Sequence, residues 1–407
     1  MRILVYGLNF SPELIGVGKY TSEMCSWLVN NGHEVRVITA PPYYPEWKVW
    51  SGFSKFYYSH SMNFGMRVWR CPLFVPLHPK FLFRIVHLTS FVISSLPILF
   101  FQLWWKPNII FLVAPTLLCA PQTLLLAKLT KAKSILHIQD LEVDALFGLD
   151  ASIRHHFGLL RKSAFFFQSL MFRSFDIVST ISVSMMKRIQ NERVSPQSLR
   201  FLPNWSDIAH FHDSQPSSAL LQKLGVRPGC KVILYSGNMG EKQGLEIVIF
   251  AARQLLLEDN LIFLMVGDGS SRNRLSNMAK SLNLSNVIFA PLQSYEDLPS
   301  LLASATVHLI IQRRGVADAL LPSKLSNILA VGGNSVVTAD PHTTLGRLPS
   351  DNPGITVVVQ PESVDALVLG IETAILMPNP NHIALNYARA FLDKNQVLSR
   401  FLDRISI

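Results

Sequence analysis

Two stretches of the chain decide its fold: LVYGLNFSPELIGVGKYTSEM at residues 4–24 and VILYSGNMGEKQGLEIVI at residues 232–249. Each begins with a short apolar run, continues through a glycine-containing loop and ends with helical spacing. This order predicts a strand, a turn and a helix, the start of a βαβ unit. A third stretch of this kind, LMVGDGSSRNRL, follows at residues 264–275. The repeat predicts two similar halves, each built on a parallel sheet.

Short apolar runs alternate with amphipathic stretches along the rest of the chain. Most runs are β-branched and are bounded by Gly, Pro or Asn, which is typical of strands. The predicted strands of the first half are Ile3–Tyr6, Val35–Thr39, Ile109–Val113, Ser134–Ile138 and Ile177–Thr180. Those of the second half are Val232–Tyr235, Ile262–Val266, Val287–Phe289, Val307–Ile311 and Val336–Thr338. The sequence therefore predicts an α/β protein with two doubly wound, Rossmann-like domains in tandem.

The break between the halves lies near PNWSDIAHFHDSQPSS, residues 203–218, which is polar and poor in apolar periodicity. We expect an N-terminal domain at 1–205 and a C-terminal domain at 206–385. Residues 386–407 have the apolar spacing of a helix. We expect that helix to pack back on one of the two domains, with the N-terminal domain favoured over the C-terminal one.

Composition narrows the class of protein. Hydrophobic residues make up 49% of the chain and charged residues 16%, which excludes a disordered chain. The four cysteines form no CxxC pair, so neither a disulfide framework nor a metal site is indicated. The apolar start, Ile3 to Leu8, runs into a Gly/Pro loop instead of a signal-peptide cleavage site. We expect a cytoplasmic protein.

The net charge of +10 is unevenly distributed. Residues 1–200 contain 21 Lys and Arg against 10 Asp and Glu, whereas the remainder contains 16 against 17. This asymmetry predicts an anionic partner for the first half, with a chance distribution of surface lysines as the alternative. Membrane lipid or a phosphorylated substrate fits better than nucleic acid, because the basic residues are dispersed and form no long run.

Residues 85–105 contain no Lys, Arg, Asp or Glu and are long enough to cross a bilayer. The apolar stretch is interrupted by His87, Pro97, Gln102 and several Ser and Thr residues. A crossing here would also separate the strand Ile109–Val113 from its sheet. We therefore expect an apolar helix that lies on the inner face of the cell membrane, against anionic lipid. An ordinary buried helix is the alternative.

Glycines follow the first predicted strand at Gly16 and Gly18. In open parallel sheets, ligands bind beyond the carboxyl ends of the strands, where glycine lets the backbone approach closely and helix N-termini attract anions. These two glycines predict room for a bulky or phosphorylated ligand. Alternatively, they serve only as turn residues.

Four segments, in this order along the chain, resemble glycosyltransferase family 4. SPELIGVGKYTSEMCSWLVNNGHEVRVITA (11–40) is similar to the start of the family. TAPPYYPEW (39–47), LHIQDLEVDALFGL (136–149) and LPSKLSNILAVGGN (321–334) resemble the colanic-acid-type fucosyltransferases of bacterial exopolysaccharide synthesis. The resemblance implies a GT-B fold, in which two Rossmann-like domains face each other across a cleft. It also implies acceptor binding by the first domain, nucleotide-sugar binding by the second, retention of anomeric configuration and no need for a metal or other cofactor.

A transfer without metal must neutralise the departing nucleotide diphosphate with cations, backbone amides and helix dipoles. The turn at Gly237 can supply amides. The family has Arg and Lys where this chain has Asn238 and Gln243, so the resemblance implies hydrogen bonds from these two residues, with Lys242 as a neighbouring cation.

Lys324 is the cation that the sequence favours most. Pro322 and Ser323 predict the start of a helix and place Lys324 in its first turn. A cation there opposes the helix dipole unless an anion is bound. We therefore predict that Lys324 contacts the diphosphate, with Ser323 beside it; a solvated surface lysine is the alternative.

Other residues complete the predicted donor site. Arg313 follows a predicted strand, so its side chain can reach the opening of the donor site. Gly267 and Gly269 give a nucleotide access to the backbone. The resemblance implies that Glu246 binds the nucleotide ribose. Asn327 stands where the family has the second of two glutamates.

Catalytic candidates come from the segment after the fourth predicted strand. The family often has His-Asp near the transferring sugar, where this chain has Gln139 and Asp140. Asp140 matches. His137, on the same strand face as Gln139, is predicted to replace the missing histidine, unless it is a core residue. Asp318 is a further candidate. A reaction in which the leaving phosphate activates the acceptor needs no enzymic nucleophile, so the absence of a carboxylate pair is compatible with transfer and disfavours a glycosidase.

The sequence favours a retaining, metal-independent glycosyltransferase. We expect GDP-fucose as donor and a polyprenyl-diphosphate-linked oligosaccharide as acceptor, in colanic-acid-like exopolysaccharide biosynthesis. The alternatives are a nucleotide-sugar epimerase of the same fold and a nonenzymatic peripheral membrane-binding protein.

Overall fold

A computed structural model describes residues 1–13, 16–77, 81–143, 158–211, 214–258, 260–314 and 323–405. The chain divides into two compact units, Met1–Leu202 with Leu398–Ile407, and Pro203–Val397. The second unit therefore includes residues 203–205 and 386–397, which the expected limits of 205 and 386 left outside it. Contacts between the two ends of this unit explain the difference. The amide of Ser206 donates to the carbonyl of Leu392 at 2.8 Å, and Lys394 pairs with Asp207 at 2.8 Å.

The first unit is built on an eight-stranded sheet. Its strands are β1 (Arg2–Tyr6), β2 (Glu34–Thr39), β3 (Ser59–Asn63), β4 (Met66–Arg70), β5 (Ile109–Ala114), β6 (Lys133–Ile138), β7 (Ile177–Thr180) and β8 (Leu199–Phe201). Their order is β3-β4-β2-β1-β5-β6-β7-β8. The β3–β4 pair is antiparallel, and all other neighbours are parallel.

Helices cover both faces of this sheet. They are Gly16–Asn30, Phe81–Phe101, Ala120–Thr130, Gly158–Ser174, Val183–Gln190 and the end of Lys394–Ile405, with a 3₁₀ turn at Leu117–Cys119. Leu88, Leu126 and Phe172 of three helices share one core cluster with Leu112 of β5. Phe401 of the last helix packs on Phe111, the next residue of β5, with ring centroids 6.0 Å apart. Because successive side chains of a strand point to opposite faces, the last helix lies on the other face.

The second unit contains a six-stranded sheet that is parallel throughout. Its strands are β9 (Lys231–Ser236), β10 (Leu261–Val266), β11 (Val287–Ala290), β12 (Val307–Ile310), β13 (Ser335–Thr338) and β14 (Val357–Val359), in the order β11-β10-β9-β12-β13-β14. Its helices are Ile208–Phe211, Ser218–Lys223, Glu246–Gln254, Arg272–Ser281, Leu298–Ala303, Ser323–Ala330, Thr344–Asp351, Val364–Ile375 and His382–Tyr387, with turns at Glu241–Gln243 and Ala388–Leu392.

Strand order reverses once in each sheet. In the first unit the reversal lies between β1 and β5, and in the second it lies between β9 and β12. Crevices outside the carboxyl ends of the strands at such switch points are the usual ligand sites of doubly wound sheets. The residues that follow β9 and β12 are therefore where a ligand of the second unit is expected.

Candidate functional site

Glycines bring the backbone turns after β9 and β10 into close contact. The Gly237 amide donates to the carbonyl of Val266, and the Met239 amide donates to the carbonyl of Asp268, both at 2.8 Å. Gly237 and Gly267 have φ values of 133° and 144°, which disfavour any residue with a Cβ. A Cβ on Gly267 would overlap the carbonyl oxygen of Gly237. The two turns thus form a compact edge beside the switch point.

Lys324 lies against this edge from the other side of the switch point. Its ammonium group is 4.4 Å from the ring centroid of Tyr235, the penultimate residue of β9, and donates to the tyrosine hydroxyl at 3.1 Å. A Cβ on Gly237 would overlap the end of the lysine side chain. Lys324 and Gly237, singled out separately in the sequence, are therefore neighbours.

The charge of Lys324 is uncompensated within the described part of the chain. Burial lowers the pKa of its ammonium group to about 8, and no charged side chain contributes to that shift. A partly buried cation that lacks an acidic partner and lies at a helix start is electrostatically suited to an anion.

A network of charges lies beside the glycine turns. Arg274 donates to Glu246 at 2.5 Å and pairs with Glu241 at 3.1 Å. Burial by itself would raise the pKa of the Glu246 carboxyl group. Hydrogen bonds from the Glu246 backbone amide and from Arg274 outweigh burial, so this pKa is lowered. Arg313 approaches the same carboxylate at 3.6 Å and donates to the carbonyl of Glu241 at 2.9 Å. This ionised glutamate holds two arginines at the carboxyl edge of the second sheet.

Four other donor-site candidates occupy the same unit in different roles. Asn238 accepts a hydrogen bond from the Tyr235 hydroxyl through its carbonyl at 2.5 Å, and its side chain would meet a Cβ on Gly269 at 2.6 Å. Lys242 is exposed. Gln243 and Asn327 accept hydrogen bonds from protein groups: the Gly240 amide at 3.1 Å and the Ser206 hydroxyl at 2.8 Å.

Two candidates remain outside this geometry. Asp318 lies outside the described residues, and Ser323 is described only as the first residue of its helix. Within the described ranges, His, Cys, Asp and Glu side chains nowhere gather in a group of three or more that could hold a metal ion.

The catalytic candidates of the first unit lie at the carboxyl end of β6. His137 is buried, and its Nδ1 lies 2.9 Å from the Ser179 hydroxyl. Burial lowers the pKa of this imidazole to about 4, so the ring is neutral at pH 7. Asp140 is exposed just beyond the strand. The structure thus places one candidate in the sheet core and the other at its rim.

Sequence reasoning missed Glu142 as an acid with unusual properties. Its carboxylate accepts the amide of Leu117 at 2.8 Å, and burial raises its pKa to about 7 despite that bond. Glu142 and Leu117 follow β6 and β5 respectively, which places this acid at the carboxyl edge of the first sheet. No sequence pattern shows which of several nearby carboxylates becomes buried.

The glycines of the first loop enclose a buried carboxylate. Glu13 is 1% exposed and accepts the amides of Tyr43 and Tyr44 at 2.8 and 2.9 Å. A Cβ on Gly18 would lie 2.9 Å from the Cβ of Glu13, and Gly16 adopts φ 57° at the helix start. Gly16 and Gly18 belong to the first unit, whereas the other predicted donor residues belong to the second.

Comparisons with known proteins agree with this architecture. Residues 16–205 match the family described as Glycosyl transferase 4-like domain, and residues 217–391 match Glycosyl transferases group 1. The chain is 51% identical to an Escherichia coli K12 protein named as a colanic acid biosynthesis glycosyl transferase, WcaI, over 407 residues and 100% of both chains.

Solved structures show the same fold at low sequence identity. Sucrose-phosphate synthase from Thermosynechococcus elongatus gives a TM-score of 0.73 at 14% identity, covering 99% of this chain and 98% of that one. Anabaena HepE, solved in complex with UDP, gives 0.69 at 14% identity and covers 100% of both chains. The expected GT-B fold and the resemblance are confirmed: with both halves matched and half of all residues identical to a relative, the chain belongs to the family 4 glycosyltransferases.

Proposed function

We propose that this protein transfers a sugar from a nucleotide diphosphate sugar bound by the second unit. The observation that carries the proposal is Lys324, a partly buried ammonium group packed on Tyr235 beside Gly237. A diphosphate is the anion that would neutralise it, with amides of the glycine turns as further donors. Arg313 is a second cation at the same edge. HepE, which has the same fold, was solved with UDP.

The finer assignment is fucosyl transfer from GDP-fucose in the biosynthesis of a colanic-acid-like exopolysaccharide. The name of the 51% identical relative supports this pathway. The proposed acceptor is a polyprenyl-diphosphate-linked oligosaccharide, bound by the basic first unit at the cytoplasmic face of the membrane. The proposed reaction retains the anomeric configuration, as the family resemblance implies. It needs no metal, since protein cations and amides stabilise the leaving diphosphate.

Within the first unit, Glu142 and Asp140 follow β6, at the carboxyl edge of the sheet. A carboxyl group with a pKa of about 7 can exchange a proton near neutral pH. Glu142 is therefore proposed to orient or deprotonate the acceptor hydroxyl. Its carboxylate holds the Leu117 amide in the described state.

A donor screen tests the function. Thermal unfolding is measured with GDP-fucose, UDP-glucose, GDP and UDP, and we expect stabilisation by the guanosine compounds. Lys324→Met should lose most of the shift, while Lys231→Met, at the exposed amino end of β9, should keep it. Stronger stabilisation by the uridine compounds would show that the donor is a uridine nucleotide sugar and not GDP-fucose. Failure of every nucleotide sugar to stabilise the protein would contradict the function itself.

A further inference from the structure

Three neighbouring helices of the first unit form a layer over one face of its sheet: Phe81–Phe101, Ala120–Thr130 and Gly158–Ser174. We call it the three-helix layer. Its inner residues Phe91, Leu126 and Phe172 belong to a single buried cluster. Since all three helices bury their inner sides in the same core, their outer sides face the same region of solvent.

The outer side of this layer is apolar. Four large side chains follow helical spacing along the first helix and are 49–64% exposed: Leu82, Val86, Ile93 and Phe101. Further exposed apolar residues lie on the other two helices: Leu125, Leu129, Leu159, Phe166 and Leu170. A helix at a water interface normally presents polar side chains outward, and contiguous exposed apolar surface marks an interaction site.

The charge of the layer has a single sign. None of its three helices contains Asp or Glu, and residues 47–139 contain no acidic residue but ten Lys and Arg. Exposed basic side chains lie on or next to the helices: Lys106, Lys128, Lys131, Arg161, Lys162 and Arg173. Apolar side chains among cations complement the surface of an anionic bilayer, where acyl chains lie below negative headgroups.

We propose that the three-helix layer is a membrane-docking surface, which lies in the interface of an anionic bilayer. The proposal rests on the proposed function for the lipid-linked acceptor that docking would bring within reach. Its occupant is lipid and not a second copy of this chain, because two basic faces repel each other.

The layer docks without crossing the membrane. The helix Phe81–Phe101 is long and apolar enough to span a bilayer by composition. However, its inner residues Phe91 and Leu99 are fully buried against the sheet. Ser95 of the same helix is hydrogen-bonded to the hydroxyl of Tyr6 in β1, which also accepts from Gln122 of the next helix. A spanning helix would lose this core and leave the buried hydroxyl of Tyr6 without its partner.

Vesicle flotation of the full chain tests the surface. Wild-type protein is expected to float with phosphatidylglycerol–phosphatidylcholine vesicles, and to float less at high salt or with phosphatidylcholine alone. Val86→Glu with Ile93→Glu should lower the partition coefficient about tenfold or more, because both side chains would carry charge into the interface. Leu369→Glu is the matched control, since Leu369 is 65% exposed on a helix of the second unit, and its partitioning should equal that of wild type.

Each outcome has a defined meaning. Unchanged flotation of the double variant, or no flotation of the wild type, would overturn the proposal. Self-association that the double variant abolishes, without vesicle binding by the wild type, would assign the surface to a second copy instead. Thermal stabilisation by nucleotide shows that the variants are folded. It also measures nucleotide binding by the second unit independently of lipid binding by the first. Flotation without any nucleotide response would leave the docking surface standing while the transferase proposal fails.

Discussion

Lys324 gives the candidate site its pH dependence. Only the ammonium form attracts a diphosphate, and the pKa of this group is lowered to about 8 in the ligand-free protein. We predict that donor affinity is nearly constant below pH 7 and falls about tenfold per unit above pH 8. Lys324→Met should weaken binding roughly 10- to 100-fold at pH 7, the cost of a lost charge-assisted hydrogen bond, and flatten the profile. Isothermal titration from pH 6.5 to pH 9 measures both effects.

The stability of the ligand-free protein should respond to pH in the opposite direction. The folded state binds fewer protons at Lys324 than the unfolded state between pH 8 and pH 10.5, so this lysine's contribution to stability increases as pH rises across that window. Lys231→Met serves as control because Lys231 is exposed at the amino end of β9. Donor affinity that stays constant from pH 7 to pH 9 would contradict the assigned role of Lys324.

Single residues of the candidate site can be singled out from sequence, but the residues that contact them cannot. A lysine in the first turn of a helix and glycines after strands are local patterns, and the structure brings Lys324, Gly237 and Gly267 together. The packing of Lys324 on Tyr235 joins residues far apart in the chain, and no local spacing encodes it. The same applies to Arg274, whose pairing with Glu246 depends on how two strand–helix units lie side by side.

At the scale of elements, strands also show that local sequence patterns do not encode contacts between distant residues. All ten predicted strands are present, because buried parallel strands are continuous apolar runs. Four others were missed. β3 is an edge strand with polar, mostly exposed residues, β4 mixes arginines with apolar residues, and β8 and β14 are three residues long. Pairing with a neighbour, and not periodicity, decides such strands.

The buried and exposed sides of the helix Phe81–Phe101 should contribute very differently to the free energy of unfolding. Phe91 is fully buried, whereas Ile93 on the same helix is 63% exposed. Phe91→Ala is expected to lower the free energy of unfolding by about 3–5 kcal/mol, and Ile93→Ala by less than about 0.5 kcal/mol. Urea unfolding in the absence of lipid measures both. Similar losses from the two variants would contradict the packing of this helix against the sheet.

At the scale of the whole molecule, the chain builds the first unit from both of its ends. After the second unit is complete, residues from Leu398 onward return to the first unit. There Phe401 packs on Phe111 of β5, and Lys133 at the start of β6 donates to the carbonyl of Ile405 at 2.7 Å. The first unit therefore contains residues that follow the second unit in sequence. Contacts of such large sequence separation are generally associated with slower folding.

This arrangement predicts that a mutation near the C-terminus destabilises the unit that contains the N-terminus. Phe401 is 4% exposed, and Phe401→Ala should cost about 3–5 kcal/mol of stability in the first unit. Amide hydrogen exchange should become faster in β5 and β6 and stay unchanged in β9 and β10. Phe391→Ala is the control, because Phe391 is 53% exposed in a turn of the second unit, and neither sheet should respond. Equal loss of protection in both sheets would show that the two units unfold together, and protection unchanged by Phe401→Ala would show that the C-terminal residues are not part of the first core.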